Sequence, residues 1–300
     1  MNKLDDVLVP GEPQRLGTGY TFAEGPLWDP QGFFYFADVR SDLLYRVVPG
    51  SAPEVVRKTN NGNGTTFDLE GNVIQCEGIG KRLTRWNPRT DVAETLIDSL
   101  NGKRLNRPND VICRSDGSLL FTDPDMRVDV EQRESEAAIW RLAPDGTVHL
   151  FALCEYPNGL AYSPDESKLY VANTRTLKYL QVLELDDAGE VKGRRIFGDM
   201  THDDAPGLPD GVKVDTLGRV YCTGPGGIWV YTADGEFLGK IACPEAPVNF
   251  CFGGADMRTL FVCAHSSIYT LQVRHPGLSH PWYARAGATQ SQKAPSLHAA

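Results

Sequence analysis

An oxygen-bearing side chain recurs six times along this sequence, each time just before a short apolar strand. The six occurrences are Glu24-Gly25-Pro26, Asn63-Gly64-Thr65, Asn109-Asp110-Val111, Asn158-Gly159-Leu160, Asp210-Gly211-Val212 and Asn249-Phe250-Cys251. We call the first residue of each triplet a ring residue; successive ring residues are 39, 46, 49, 52 and 39 positions apart. A period of about 40–50 residues with roughly four strands per repeat is typical of a propeller blade. We therefore predict an all-β fold, a six-bladed β-propeller, with the ring residues around one mouth of a central channel.

The ends of the chain predict how this propeller closes. The last repeat contains only three strands, at residues 249–252, 259–263 and 268–273, whereas residues 14–19 form a strand without a blade of its own. Pairing of this N-terminal strand in the last blade would complete the sheet and remove an exposed edge. We therefore expect a flexible N-terminus at residues 1–13, the propeller at residues 14–273, and a disordered tail at residues 274–300.

Composition limits the partners and the cellular location. A net charge of −9 argues against nucleic acid or an anionic membrane surface as a partner. The chain has no run of about 18 apolar residues that could span a membrane, and residues 1–13 lack the apolar core of a signal peptide. The seven cysteines show no CxxC pairing and are predicted to be buried free thiols. We expect a cytoplasmic protein with a small-molecule substrate; the sequence leaves the oligomeric state open.

Four ring residues are candidates for metal ligands: Glu24, Asn109, Asn158 and Asp210. Two carboxylates and two amide oxygens form a hard, all-oxygen set that suits one Ca²⁺ ion completed by water, while Zn²⁺, Mg²⁺ or Mn²⁺ remain possible. The alternative is that these are turn residues, since Asn and Asp before Gly are common in turns. A role in a turn readily explains the presence of any one of these four residues. It explains less readily why all four occur at the same position of their blades. Asn63 and Asn249 share the register and are expected to lie outside the ligand set.

The predicted path of the strands places further polar residues on the same face as the ring. Strand one runs away from the ring and strand two returns, so the loops that join strands two and three lie on the ring face. These loops include Asp123 and Asn173, and the long loop before blade three carries Arg107. An insert at residues 126–138, rich in Asp, Glu and Arg, is predicted to overhang the mouth as a lid.

Four short motifs resemble those of a known family. They are Ala23-Glu24-Gly25-Pro26, Arg107-Pro108-Asn109-Asp110, Tyr156-Pro157-Asn158-Gly159 and Leu208-Pro209-Asp210-Gly211. With them, residues 14–273 resemble the gluconolactonase, regucalcin and luciferin-regenerating family of six-bladed propellers. The resemblance implies one divalent cation held by Glu24, Asn158 and Asp210. It also implies substrate contacts from Arg107 and from Asn109, which can approach the metal as well. Members hydrolyse lactones of sugar acids and also other lactones and esters, and Phe121-Thr122-Asp123-Pro124 is like the bacterial gluconolactonase branch.

These residues suit a divalent-metal-dependent lactonase acting on a sugar-acid lactone such as gluconolactone. A bound dication can polarise the lactone carbonyl. Because Ca²⁺ is a weak Lewis acid, we expect a carboxylate to help activate water, with Asp210 as first candidate and Asp123 as second. Arg107 and Asn173 are candidates to bind sugar hydroxyls. The alternatives are a metal-dependent aryl-esterase or organophosphate hydrolase, and a non-catalytic calcium-binding propeller. The sequence contains no G-x-S-x-G elbow, HExxH helix or P-loop.

Overall fold

Short apolar strands separated by tight turns dominate the chain, and a computed structural model shows how they pair. It describes residues 3–125, 136–175 and 177–291, with side chains as far as Ala286. Within these residues, six four-stranded antiparallel sheets form the blades of a six-bladed β-propeller. No helix in this part of the chain has the length and apolar character needed to cross a membrane.

The strands follow the sequence order within each blade. Blade one is β2 (Ala23–Asp29), β3 (Phe33–Asp38), β4 (Leu43–Val47) and β5 (Glu54–Lys58). Blade two is β6 (Gly62–Phe67), β7 (Val73–Glu77), β8 (Arg82–Asn87) and β9 (Val92–Ile97), followed by a small hairpin, β10 (Ser99–Leu100) and β11 (Lys103–Arg104). Blade three is β12 (Val111–Cys113), β13 (Leu119–Asp123), β14 (Ala138–Leu142) and β15 (Val148–Leu153).

The second half repeats the pattern and closes with the chain ends. Blade four is β16 (Pro157–Tyr162), β17 (Lys168–Asn173), β18 (Tyr179–Leu185) and β19 (Val191–Asp199). Blade five is β20 (Val212–Val214), β21 (Val220–Gly224), β22 (Gly227–Tyr231) and β23 (Phe237–Ile241). Blade six is β24 (Asn249–Gly253), β25 (Thr259–Ala264), β26 (Ser267–Gln272) and β1 (Gln14–Thr18), and β1 pairs antiparallel with β26. A 3-10 helix at Lys3–Asp6 precedes β1, and the helix α1 (Pro281–Ser291) follows the last blade.

The core lies between the blades. Each innermost strand contacts its neighbours in the closed order β2, β6, β12, β16, β20, β24 and back to β2. Six apolar clusters fill the described interior, one at each interface between adjacent blades. At the interface of blades six and one, for example, the Phe261 ring lies 4.7 Å from Phe34 and 5.1 Å from Trp28. The second strands of the blades are therefore buried on both faces, which explains their nearly continuous apolar runs, as in β3, β13 and β25.

Glycine beside a ring residue lets the inner strands approach one another closely. A Cβ atom on Gly159 would overlap the backbone oxygen of Asp210, and one on Gly211 would overlap the side chain of Asn249. The Gly159 N–H instead donates a hydrogen bond to the Asp210 carbonyl oxygen at 3.1 Å. Adjacent blades are thus joined by their backbones at the ring, which brings the ring residues to a common mouth.

The N-terminal segment differs from the flexible chain expected for residues 1–13. Val7 is fully buried in the cluster between blades five and six, and Leu8 bridges to Val273. The guanidinium groups of Arg219 and Arg274 donate hydrogen bonds to backbone carbonyl oxygens of Asp6 and Asp5. Prolines and charges suggested a loose segment, but apolar contacts and these carbonyl partners hold residues 3–9 against the propeller.

The C-terminal segment also differs from the disordered tail expected after residue 273. Residues 276–286, called here the C-terminal strap, cross the rear mouth of the channel, opposite the ring. Leu278 N–H donates to Val214 O at 3.1 Å, the Tyr283 hydroxyl donates to Trp28 O, and the Trp282 ring lies 4.6 Å from Phe67. The strap therefore contacts blades five, one and two. Its small and proline residues are typical of a linker, but its aromatic side chains have partners that only the folded propeller supplies.

Two glycines provide a matched test of strap docking. Gly71 and Gly50 have similar positive φ angles, +81° and +87°, but a Cβ on Gly71 would lie 2.5 Å from the Trp282 ring, whereas one on Gly50 meets no atom within 4 Å. Both alanine substitutions incur a backbone cost of about 1–2 kcal/mol. We predict that Gly71→Ala lowers the free energy of unfolding by about 1–3 kcal/mol more, because it displaces Trp282.

Urea denaturation of both variants measures this difference. In a Trp282→Ala background the excess cost of Gly71→Ala should disappear, since the clashing ring is gone. Equal costs for Gly71→Ala and Gly50→Ala in the wild-type background would show that Trp282 does not rest on Gly71.

Candidate functional site

The ring face contains a pocket with a volume of about 420 Å³. The four ring residues predicted as metal ligands, Glu24, Asn109, Asn158 and Asp210, all line it. Arg107, predicted to contact substrate, lines the same pocket. Backbone contacts between neighbouring inner strands at the ring bring these side chains together from blades one, three, four and five.

Asn158 presents an unpartnered oxygen to this pocket. Its side chain is 3% exposed, and its Nδ2 donates to Thr174 Oγ1 at 2.9 Å. The Thr174 hydroxyl donates its own proton to Pro209 O at 2.6 Å, so it must accept from Asn158, which sets the orientation of the amide. The buried Asn158 Oδ1 makes no hydrogen bond. A buried acceptor without a partner is costly, and a cation would satisfy it.

Glu24 lines the same pocket from blade one and is anchored by its neighbours on the ring. It is 2% exposed, and its Oε2 accepts hydrogen bonds from the Gly25 N–H and, at 2.9 Å, from Asn249 Nδ2. Asn249 thus supports Glu24 and does not line the pocket. Asp210 is only partly buried at the pocket wall, where its carboxylate can meet a ligand.

Asp110 is a third carboxylate that the sequence analysis missed. It is 4% exposed; its Oδ1 accepts from the Val111 N–H at 2.9 Å and its Oδ2 makes no hydrogen bond. Blades one, two, four and five carry glycine at this position, directly after the ring residue. The presence of a carboxylate at a position where four other blades have glycine is the sequence signal that could have identified Asp110.

Burial raises the pKa values of all three carboxylates, and neighbouring negative charge adds to the rise for Glu24 and Asp210. Burial, and then the negative charge of Asp110, raises the pKa of Glu24 to about 7. Burial, followed by the charges of Glu24 and Asp110, raises the pKa of Asp210 well above its ordinary value. Burial also raises the pKa of Asp110, and the ammonium group of Lys213 opposes that rise. The site therefore lacks positive charge relative to its carboxylates.

The donor set fits a hard cation better than a soft one. Among the residues that the structure describes, no group of three or more His, Cys, Asp or Glu side chains could hold a metal ion. A cation at the ring would therefore need amide oxygens in addition to the carboxylates. The orphaned Oδ1 of Asn158 is such a ligand, and oxygen-only coordination is what Ca²⁺ prefers.

Asp123 and Asn173 do not reach the pocket. Both are fully buried at the end of a blade's second strand. The Asp123 carboxylate accepts the N–H groups of Arg107 and Asn106 at 2.7 and 2.9 Å, and Asn173 Oδ1 accepts the Tyr156 N–H at 2.9 Å. The side-chain oxygens of Asp123 and Asn173 thus hold backbone N–H groups, and the roles of Asp123 as a base and of Asn173 as a substrate ligand stay predictions that these contacts do not support.

These two residues belong to a recurring brace. In blade one, Asp38 accepts the Phe22 N–H at 2.8 Å. Phe22, Arg107 and Tyr156 each stand two positions before a ring residue, so the same contact recurs in blades one, three and four. The brace fixes the segment that leads into the ring and so positions Glu24, Asn109 and Asn158.

The pocket wall contains both expected and unexpected groups. The Arg107 guanidinium donates to Asn61 Oδ1 at 2.7 Å, and Asn61 Nδ2 donates to Val39 O at 2.8 Å, which holds the Arg107 side chain at the wall. His265 also lines the pocket, and its ring centre lies 5.0 Å from that of Phe22 in an edge-on arrangement. The predicted lid at residues 126–138 lies mostly outside the described residues, which resume at Glu136, and it stays a prediction.

The raised pKa of Glu24 predicts how stability changes with pH in the metal-free protein. Its pKa is 4.5 in an ordinary setting and about 7 in the fold, so the folded state binds this proton more tightly than the unfolded state does. This contribution to the free energy of unfolding is present below pH 4.5 and is lost as the pH rises to about 7. We predict that Glu24→Gln, which cannot titrate, shows a flatter fall in stability over that range.

Urea unfolding of chelator-treated protein at pH 5, 6 and 7 checks this. Glu12→Gln, an exposed carboxylate near the N-terminus, is the matched control and should keep the wild-type slope. An unchanged slope in Glu24→Gln would contradict the burial of an ionisable group at this position.

Comparison with known proteins places this site in a family. The family described as SMP-30/Gluconolactonase/LRE-like region matches residues 22–266. The chain is 28% identical to the gluconolactonase of Zymomonas mobilis, over 91% of this chain and 84% of that protein. It is 29% identical to pentonolactonase XacC of Haloferax volcanii, over 82% of each.

A solved structure gives the same result at the level of the fold. The structure of XC5397 from Xanthomonas campestris, described as a gluconolactonase, superimposes with a TM-score of 0.81 and 30% sequence identity. The match covers 90% of this chain and 92% of that one. Because the family match spans most of the propeller and includes all the ring residues, the chain belongs to the SMP-30/gluconolactonase/LRE-like family.

Proposed function

We propose that this protein is a divalent-metal-dependent lactonase that hydrolyses a sugar-acid lactone. The observation that carries the proposal is the buried, unpartnered Oδ1 of Asn158 in a pocket of about 420 Å³ that Glu24 and Asp210 also line. The relatives from Zymomonas mobilis and Haloferax volcanii are named as a gluconolactonase and a pentonolactonase, which supports a sugar lactone as substrate class.

The proposed cation is Ca²⁺, held by Glu24, Asn158 and Asp210, with Asn109 as a further oxygen donor. All four side chains line the pocket and all supply oxygen. When bound, a divalent cation polarises a carbonyl group and stabilises negative charge on its oxygen. Zn²⁺ is less suited to this set, because none of the four ligands is a histidine or a cysteine.

The protein's own residues supply the remaining chemistry. Asp210 is the candidate proton acceptor for the attacking water, because its partly exposed carboxylate borders the pocket. The Arg107 guanidinium, which donates to Asn61 and lines the pocket, is the candidate to contact the hydroxyl and carbonyl groups of a sugar lactone. Phe22, Val39 and Pro247 give the pocket apolar walls that contact the ring carbons. The volume lies within the usual range for small-molecule sites, about 300–1,000 Å³.

The proposed role of Asp210 predicts the effect of removing one carboxylate and of removing metal. A chelator should abolish lactone hydrolysis, and Ca²⁺ or another divalent ion should restore it. Asp210→Asn keeps the side-chain shape but loses a charge and the proton acceptor, so metal affinity should fall. At saturating metal, kcat should remain lowered by about 10²–10⁴-fold, the usual cost of losing a general base.

A pH-indicator assay on gluconolactone, pentonolactones, aryl esters and organophosphate esters measures these effects. Asp187→Asn, an exposed turn carboxylate, is the matched control and should behave as wild type. Full hydrolysis by metal-free protein would contradict the metal mechanism. Turnover of the aryl or organophosphate esters alone would replace the lactone as substrate, and binding of Ca²⁺ without turnover of any ester would favour a non-catalytic propeller.

The position of Arg107 predicts a binding defect that is distinct from the loss of the base. Arg107→Lys keeps the positive charge but removes the planar fork that bonds Asn61 and faces the pocket. We predict a rise in KM of about tenfold, with metal affinity near the wild-type value. Steady-state kinetics measures KM, and calorimetric titration with Ca²⁺ measures the metal affinity. An unchanged KM would show that Arg107 does not contact the substrate.

A further inference from the structure

A second cavity lies in the channel on the far side of the ring. It has a volume of about 400 Å³ and is lined at the rear by the C-terminal strap. One row of its lining stands three positions after each ring residue: Leu27, Thr66, Ile112, Ala161, Lys213 and Phe252. Lys213 is the only charged member of this row. Lys213 is partly buried there, and removing an ammonium group even partly from water is costly without compensation.

Lys213 faces the carboxylates from behind. Its position on β20 lies between Val212 and Val214, which are buried in the interface of blades four and five, so its side chain takes the channel side. Its Nζ donates to Asn249 Oδ1 at 3.3 Å, and Asn249 Nδ2 donates in turn to Glu24 Oε2 at 2.9 Å. The ammonium group also lies 5.9 Å from the centre of the Phe250 ring. Lys213 is therefore coupled to the front site through one amide, without being a ligand itself.

Lys213 is counted with the ring carboxylates because its positive charge lowers the pKa of each of them, whereas Arg40 and Arg107 line the front wall of the pocket and are counted with its substrate side. Glu24, Asp110 and Asp210 supply three negative charges, and Lys213 supplies one positive charge. The remainder is two negative charges, which one dication would neutralise. The negative charge of Asp110 explains why a lysine is needed. If Asp110 were absent, the two ligand carboxylates of Glu24 and Asp210 would already balance the charge of a dication.

We propose that Lys213 is a specificity-determining residue that sets the charge of the cation the ring accepts, so that the site takes a divalent ion. The inference rests on the proposed metal-dependent function. An added or removed unit charge changes the binding free energy of an ion in proportion to the ion's own charge. Removal of the Lys213 charge therefore strengthens the binding of a trivalent ion more than that of a divalent one.

The test is a calorimetric titration of the metal-free full-length protein with Ca²⁺ and with La³⁺. Lys213→Met removes the charge at similar volume, and we expect the ratio of La³⁺ to Ca²⁺ affinity to rise at least about tenfold over wild type. Lys213→Arg keeps the charge and should leave the ratio within about threefold of wild type. An unchanged ratio in Lys213→Met, or an equal rise in both variants, overturns the proposal.

The test stays decisive if the variant does not fold or if the wild-type protein does not bind Ca²⁺. If Lys213→Met does not fold without metal, its recovery by La³⁺ and by Ca²⁺ is compared by circular dichroism. The proposal is supported if La³⁺ restores the folded signal more effectively relative to Ca²⁺ than the wild-type affinities for the two ions would predict. It is overturned if the relative effectiveness of the two ions is unchanged, or if neither ion restores the fold. Failure of the wild-type protein to bind Ca²⁺ would overturn the proposed function instead, so the two failures are distinguishable.

Discussion

The buried negative charge at the centre of the channel is the constraint on which the rest of the site depends. Glu24 and Asp110 are almost fully buried, and Asp210 borders the same pocket. Isolated carboxylates in such surroundings would favour their neutral forms, which is why their pKa values rise. A propeller can hold such a cluster because each blade contributes only one or two of its members, while the apolar interfaces between blades bear the structure.

The side chains of this site are positioned mainly by hydrogen bonds to the backbone segments that carry them. The braces at Asp38, Asp123 and Asn173 hold the segments that lead into Glu24, Asn109 and Asn158. Thr174 then fixes the amide of Asn158, and Asn249 fixes Glu24. The oxygens that we propose as ligands are thereby oriented by the fold itself, and such preorganisation favours strong binding.

The period of the ring residues was enough to predict six blades and the meeting of Glu24, Asn109, Asn158 and Asp210 at one pocket. It was not enough to assign Asp123 and Asn173. The sequence places both on the ring face, but a side chain at a strand end can point to the pocket or back to its own blade, and only the three-dimensional loop decides. Asp110 and Lys213 were missed because their significance is a sum of charges from different blades. The strap was missed because its aromatic residues have no local partners.

The pairing of β1 with β26 also has a consequence for how the protein is made. Gln14 and Thr270 are 256 residues apart in the chain, and the strap follows later still. Contacts of such long range form slowly, because the intervening chain must be ordered first. On the ribosome, the first five blades can assemble while blade six is still missing, and the N-terminal strand waits without a partner through nearly all of synthesis. The ring can therefore close only after β26 has been made and has paired with β1.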